Sequence, residues 1–118
     1  THLRWTLNKG VPHTPSILLD GDELYMVSDG GIASCVDAKR GIVHWSERLG
    51  GGYSASPILA GGKMYFVNEA GVISVLATGK KFKLLAKNDL NEKSLASPAV
   101  ADDALFIRTA GHLWCFKM

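Results

Sequence analysis

Hydrophobic residues, many of them β-branched or aromatic, fall in short runs that are separated by turn residues. Aspartate-glycine clusters at 20–22 and 29–31 separate the first three runs, where glycine and aspartate permit the backbone angles of tight hairpins. The first 50 residues hold four such runs: Ser16–Leu19, Leu24–Ser28, Ile32–Val36 and Ile42–Ser46. The β-branched and aromatic residues of the runs and the turns between them predict four antiparallel strands joined by hairpins.

The pattern is repeated along the chain. A shift of 40 residues superimposes similar residues: Trp5 on Trp45, Tyr25 on Tyr65, Gly31 on Gly71 and Ser34 on Ser74. A second shift of 40 reaches a third copy, in which Ala104–Ile107 and Leu113–Phe116 continue the strand pattern. A period near 40 with several strands in each repeat is typical of β-propeller blades.

We therefore predict an all-β protein, a β-propeller segment of about three four-stranded antiparallel blades. Residues 1–10 are expected to form a lone outer strand, 11–50 and 51–90 two blades, and 91–118 three strands of a last blade. The extra strand at the start matches the strand missing at the end. We expect an N-terminal strand to complete the last blade, because this protects an otherwise open sheet edge.

Composition and charge narrow the class of protein. The chain has 118 residues, 47% of them hydrophobic and 20% charged, which excludes a disordered chain. The net charge of +2 comes from interspersed acidic and basic residues, so no nucleic-acid-binding patch is expected. No apolar run reaches the ~18 residues of a membrane helix, so we expect no transmembrane segment. Because the chain opens at Thr1 without an initiator methionine, we expect it to be mature, trimmed or cut from a longer protein.

The segment from Cys35 to Trp45 resembles the tryptophan-docking motif of the PQQ-like β-propeller repeat family, Ala-x-Asp-x-x-Thr-Gly-x-x-x-Trp. Asp37, Gly41 and Trp45 match the motif, whereas Cys35 and Arg40 replace the usual alanine and threonine. The resemblance extends over nearly the whole chain. The sequence is also similar to the C-terminal blades of large bacterial members of the family. The resemblance implies a propeller fold.

The motif has a mechanical interpretation that requires no cofactor. Gly41 can adopt the positive φ of a tight turn, and Asp37 can accept hydrogen bonds from the amides of that turn. Trp45 can pack its ring against the adjacent blade, and Trp5 occupies the same repeat position one copy earlier. In the second copy, Gly79 stands for the glycine of the motif, and Lys83 therefore stands at the tryptophan position.

The resemblance also raises an enzymatic alternative, a fragment of a pyrroloquinoline-quinone-dependent dehydrogenase. Family quinoproteins hold their cofactor with a disulfide between adjacent cysteines, a stacking tryptophan and a Ca²⁺ ion. Here Cys35 and Cys115 lie two repeats apart, and the histidines share no metal-ligand spacing. We therefore expect no catalytic residue, cofactor or metal. The favoured function is a non-catalytic binding or scaffolding module, similar to exported propellers that assist outer-membrane protein assembly, in a periplasmic or secreted location.

One face of the predicted propeller is the candidate site. Loops that lead into the inner strands and the second hairpin turns should gather on the same side, and loops on a rigid scaffold commonly bind partners. The hypothesis assigns a protein-binding surface to His13, Tyr53, Asp29 and Glu69; the alternative is that these are ordinary loop residues. Three blades also leave two open apolar faces, which predicts a homo-oligomer in which a second copy closes a six-bladed ring.

Overall fold

The computed structural model describes residues 2–118, which form eleven β-strands and no helix. The first sheet contains β1 (Leu18–Asp20), β2 (Glu23–Val27), β3 (Ile32–Asp37) and β4 (Val43–Arg48). The second contains β5 (Ile58–Ala60), β6 (Lys63–Val67), β7 (Val72–Ala77) and β8 (Leu84–Asp89). The third contains β9 (Ala99–Ala101), β10 (Ala104–Arg108) and β11 (Leu113–Lys117). The strands of each sheet pair antiparallel in chain order, which confirms the predicted propeller segment.

The three sheets share one register. An aromatic residue of the second strand lies opposite a small side chain of the third in every sheet: Tyr25 opposite Cys35, Tyr65 opposite Val75 and Phe106 opposite Cys115. The pairing with the outer strand shifts at the same place in the first two sheets, after Cys35 and after Val75. Because side chains alternate between the faces of a strand, equivalent residues face the same way in all three sheets.

The core lies in two layers between consecutive sheets. In the first layer, Tyr25 and Cys35 of the first sheet share a buried cluster with Met64, Phe66 and Leu76 of the second. In the second layer, residues of the second and third sheets pack together: Tyr65, Val67, Ile73, Leu105 and Ile107. The middle sheet is therefore covered on both faces.

The N-terminal segment departs from the prediction of a lone outer strand over residues 1–10. Thr1 lies outside the described residues, and residues 2–10 form no strand. Trp5 instead packs on Gly41 of the first sheet, and its Nε1 donates a hydrogen bond to the carbonyl oxygen of Ala38 at 3.0 Å. Among the described residues β11 pairs with β10 alone, so the N-terminal segment does not pair with the outer edge of β11.

The outer strand of the second sheet corrects the assignment of Lys83 to the tryptophan position. Trp45 lies opposite Cys35, and the residue opposite the equivalent Val75 is Ala86. The turn between β7 and β8 is one residue longer than the turn between β3 and β4, and Gly79 stands second in it whereas Gly41 stands fourth in its own, so Lys83 lies before the strand. The second sheet therefore has no tryptophan to dock on the third.

Candidate functional site

One edge of the stacked sheets is formed by the turns and loops named in the prediction. We call it the loop face: turns 28–31, 68–71 and 109–112, and the loops 10–17, 50–57 and 91–98 that lead into the inner strands. Backbone hydrogen bonds join these segments: Tyr53 N to Asp29 O at 2.8 Å, Glu69 N to Gly52 O at 2.8 Å, Ser94 N to Glu69 O at 3.0 Å and Ala110 N to Lys93 O at 2.9 Å. Each loop after the first thus bridges two consecutive turns.

Two glycines allow two segments of the backbone to pass close to each other on the loop face. Gly31 and Gly71 end equivalent turns with φ of +94° and +88°. A Cβ at Gly31 would lie 2.4 Å from the carbonyl oxygen of Gly51, and one at Gly71 would lie 2.0 Å from that of Glu92. Only a residue without a side chain fits under the linker to the next sheet, so the loop face has a tightly fixed backbone.

Asp29 holds the loop that leads into β1. Its Oδ1 accepts hydrogen bonds from the amides of His13 at 2.6 Å and Thr14 at 3.1 Å, and its Oδ2 accepts one from Thr14 Oγ1 at 2.9 Å. The His13 amide is the main cause of a lowered pKa for this carboxyl group. Asp29 therefore stays ionised and bonded within its own repeat, while the His13 side chain is exposed.

Glu69 repeats this arrangement in the second sheet. Its carboxylate accepts a hydrogen bond from the hydroxyl of Ser54, which stands where Thr14 stands in the first repeat. Glu69 is half-buried, as is Asp29. The two acidic residues that the sequence analysis assigns to a binding surface lie on the loop face, and each fixes a loop; their binding role stays a prediction.

The third sheet obtains its carboxylate from another segment. Ala110 stands at the position of Glu69, and Glu92 of the incoming loop approaches instead. Glu92 Oε1 accepts a hydrogen bond from Thr109 Oγ1 at 2.5 Å and lies 2.9 Å from His112 Nδ1. Both contacts lower the pKa of Glu92, that of Thr109 most. Trp114 Nε1 donates in turn to Thr109 Oγ1 at 2.8 Å, so the group forms one network.

Tyr53 does not contribute its side chain to the loop face. The residue is 2% exposed and belongs to the core layer between the first two sheets. Burial raises the pKa of its phenol group. The loop turns inward at this residue, so the aromatic ring fills the core. The assignment of Tyr53 to a partner surface is corrected accordingly.

Two neighbouring cavities open on the loop face around Leu95. The first has a volume of about 360 Å³ and is lined by Lys93, Ser94, Leu95, Ala96, Arg108, Thr109 and Ala110. The second has a volume of about 570 Å³ and is lined by Gly52, Glu69, Ala70, Asn91, Glu92, Lys93 and Leu95. Leu95 lines both and is 68% exposed. We name the two cavities together the loop-face groove.

The sequence prediction did not identify the groove. The available signal was Leu95, a large apolar residue in an otherwise polar loop between Asn91 and Ser97. The basic residues beside it, Lys93 and Arg108, come from different repeat positions. Only folding brings them to the same pair of cavities.

The tryptophan-docking residues lie at the other end of β3, away from the loop face. Asp37 accepts hydrogen bonds from the amides of Lys39 at 3.0 Å and Arg40 at 2.9 Å, and from the Arg40 guanidinium at 3.0 Å. The guanidinium is the main cause that lowers the pKa of Asp37 to about 2. Gly41 has φ +73°, and Trp45 is buried with its Nε1 3.0 Å from the Gly79 oxygen.

The remaining candidate chemistry is sparse. Within residues 2–118, no group of three or more His, Cys, Asp or Glu side chains is placed to hold a metal ion. Both cysteines are free thiols; Cys35 is buried, and burial raises its pKa to about 11, whereas Cys115 is exposed. The described part of the chain contains no helix that could span a membrane.

Stacked antiparallel meander sheets with indole groups docked on the turns of the next sheet define a β-propeller segment of the PQQ-like repeat class. The chain belongs to the family described as outer membrane protein assembly factor BamB, whose model matches residues 2–111. The crystal structure of BamB from Moraxella catarrhalis is similar in fold, with a TM-score of 0.68 and 14% sequence identity. The match covers 84% of this chain and 29% of that one. No curated protein matches the sequence. Membership of this family favours a binding or scaffold module over a quinone dehydrogenase.

Proposed function

We propose that the chain is a non-catalytic protein-binding scaffold and that its partner docks on the loop-face groove. The observation that carries this proposal is Leu95, a large apolar side chain 68% exposed between two cavities. Around it the backbone is fixed by inter-loop hydrogen bonds and by the close crossing at Gly71. A rigid surface with one exposed apolar anchor binds a partner with little loss of conformational entropy.

The charges around Leu95 indicate the chemistry of the partner. Arg108 is exposed on one cavity, the carboxylates of Glu69 and Glu92 border the other, and the exposed Lys93 lines both. This arrangement suits an extended protein segment with an apolar side chain at its centre and charged groups of opposite sign on its two sides. The charges would set the orientation of the segment, and the burial of Leu95 would supply affinity.

The family suggests the setting in which such a partner is met. We propose a bacterial, periplasmic or outer-membrane-associated location and a partner within the machinery that assembles outer membrane proteins, because the family description names BamB an outer membrane protein assembly factor. We also propose that the module works as a homo-oligomer, since each of its two end sheets has one face that no other sheet of the described residues covers.

The experiment measures binding of the full chain to a purified outer membrane protein assembly complex by surface plasmon resonance. Leu95→Glu should weaken binding at least tenfold, because a charge would replace the apolar anchor. Leu85→Glu is the matched control, since Leu85 is 40% exposed on the outer strand β8. Absence of binding by the unaltered chain would overturn the partner class. Equal affinity of the Leu95→Glu and unaltered chains would overturn the groove.

The dehydrogenase alternative has its own test. The chain is mixed with pyrroloquinoline quinone and Ca²⁺, and reduction of an electron-accepting dye is followed. We expect no reduction above the rate of the free cofactor. Dye reduction that depends on the chain would reject the non-catalytic proposal.

A further inference from the structure

Lysines gather at one end of the middle sheet. The turn between β7 and β8, residues 78–83, lies at the end of the sheet opposite the loop face, and we call it the basic turn. Three exposed lysines lie in it: Lys80, Lys81 and Lys83. The amide and hydroxyl of Thr78 each donate to the Gly62 oxygen at 3.3 Å, so the basic turn adjoins the hairpin that leads into the exposed Lys63.

The equivalent turn of the first sheet pairs its cations, and the basic turn does not. Lys39 Nζ lies 3.7 Å from the carboxylate of Asp22, and the Arg40 guanidinium donates to Asp37 at 3.0 Å. The second sheet has no carboxylate at the matching positions, where Gly62, Lys63 and Ala77 replace Asp22, Glu23 and Asp37. Within residues 2–118, the three lysines of the basic turn form no ion pair, so their charge is unbalanced.

Contacts with the first sheet hold the backbone of the basic turn. Trp45 Nε1 donates to the Gly79 oxygen at 3.0 Å, and the Gly79 amide donates to the Tyr25 hydroxyl at 2.7 Å. Phe82 packs edge-on against the Trp45 indole, with ring centroids 5.2 Å apart. A ligand therefore has to order the lysine side chains alone, which lowers the entropy that binding costs.

We infer that the basic turn binds an acidic, extended segment of a partner protein. Its three unpaired ammonium groups are complementary to a short run of carboxylates. Leu84 follows directly at the start of β8 and is 44% exposed, so an apolar side chain beside the acidic run contacts it. This site goes beyond the loop-face groove and is independent of it, since the two lie at opposite ends of the sheets.

Two other anionic partners fit the basic turn less well. A single-stranded nucleic acid is bound through aromatic rings that stack on its bases, and the ring of Phe82 is already packed on Trp45. A flat anionic membrane attracts a broad basic surface, but the same end of the neighbouring sheets carries exposed carboxylates: Asp20, Asp22, Asp102 and Asp103. A narrow acidic segment follows the lysines alone.

The first test follows the fluorescence anisotropy of a labelled synthetic peptide, a run of glutamates flanked by leucines, as the full chain is added. Binding should weaken as salt is raised, because salt screens exposed charges. The combined change Lys80→Gln, Lys81→Gln and Lys83→Gln should weaken binding about fivefold or more. The control removes the same charge from exposed positions elsewhere: Arg4→Gln, Lys9→Gln and Arg48→Gln. It should change the affinity by less than about twofold. Equal losses in the two triple variants, or no binding by the unaltered chain, would overturn the site.

The second test varies the ligand and leaves the protein unaltered. A peptide with glutamines in place of the glutamates should not bind, and its binding would rule out recognition by charge. Phosphatidylglycerol vesicles and a single-stranded oligonucleotide should bind more weakly than the glutamate peptide at equal concentrations of negative charge. Tighter binding of either would reject an acidic protein segment as the partner. Leu95→Glu should bind the glutamate peptide as the unaltered chain does, so that failure of this site and failure of the loop-face groove are distinguished.

Discussion

The indole Nε1 of Trp45, on the outer strand of the first sheet, donates a hydrogen bond to the carbonyl oxygen of Gly79 in the second at 3.0 Å. The same glycine donates its amide to the hydroxyl of Tyr25 at 2.7 Å. Phe82, in the same turn, packs edge-on against the indole with ring centroids 5.2 Å apart. The turn after β7 is thus held by two side chains of the preceding sheet, which makes it the point where the two sheets are joined.

Substitution of Trp45 should lower the free energy of unfolding, and the loss should be larger when more of the side chain is removed. Trp45→Phe loses the hydrogen bond and should lower the free energy of unfolding by about 1 to 2 kcal/mol. Trp45→Ala also leaves a cavity and should cost about 3 to 5 kcal/mol. Urea unfolding followed by circular dichroism measures both. Trp5→Phe is the comparison and should cost less than Trp45→Phe, because the N-terminal segment lies outside the core layers. Equal losses at both tryptophans would contradict this account.

Gly71→Ala should be strongly destabilising. The new methyl group would meet the Glu92 carbonyl oxygen at 2.0 Å, at a positive φ, so the linker to the third sheet must move. Gly61→Ala is the matched control, since Gly61 also has a positive φ but has no atom within 4 Å of the added carbon. We expect about 1 kcal/mol for Gly61→Ala from backbone strain alone, and at least about 2 kcal/mol more for Gly71→Ala. Similar urea midpoints for the two variants would disprove the close crossing.

Asp37→Asn should alter the stability in acid. The Arg40 guanidinium and the turn amides lower the pKa of Asp37 from 3.8 to about 2. The folded state therefore binds the proton less readily than the unfolded state. The carboxylate stabilises the fold above pH 4, and this contribution is lost as the pH falls from about 4 toward 2. The variant should be less stable than the unaltered chain at pH 5, and the difference should shrink by pH 2, as measured by urea unfolding across this range. A constant difference would reject the linkage.

Substitution of Tyr53 tests whether its ring lies in the core or on the surface of the protein. Tyr53→Phe should change the free energy of unfolding by less than about 1 kcal/mol, because the buried hydroxyl has no clear hydrogen-bond partner. Tyr53→Ala should cost about 3 to 5 kcal/mol by leaving a cavity between the first two sheets. His13→Ala, at an exposed side chain, should be nearly neutral for stability. A small effect of Tyr53→Ala on the melting temperature would place the ring outside the core.

The candidate site was only partly predictable. The repeat predicted that Asp29 and Glu69 would share one edge of the molecule, because equivalent turns of stacked sheets must lie together. It did not reveal that both carboxylates accept hydrogen bonds from hydroxyls of incoming loops. Leu95 was missed for a related reason. Its importance comes from standing between two cavities whose walls are drawn from separate loops, and no local pattern records that.

The sequence by itself determined the strands of the three sheets, their hairpins and their common register, because the strand preference of β-branched and aromatic residues and the demands of tight turns act over a few residues and recur every 40. Only the tertiary structure decided the rest. The longer turn after β7, with Gly79 early in it, put Ala86 at the tryptophan position, the inward turn of the loop 50–57 buried Tyr53, and stacking set Phe106 on a face that the next blade would cover. These outcomes depend on contacts between sheets, which are fixed by how whole faces fit together.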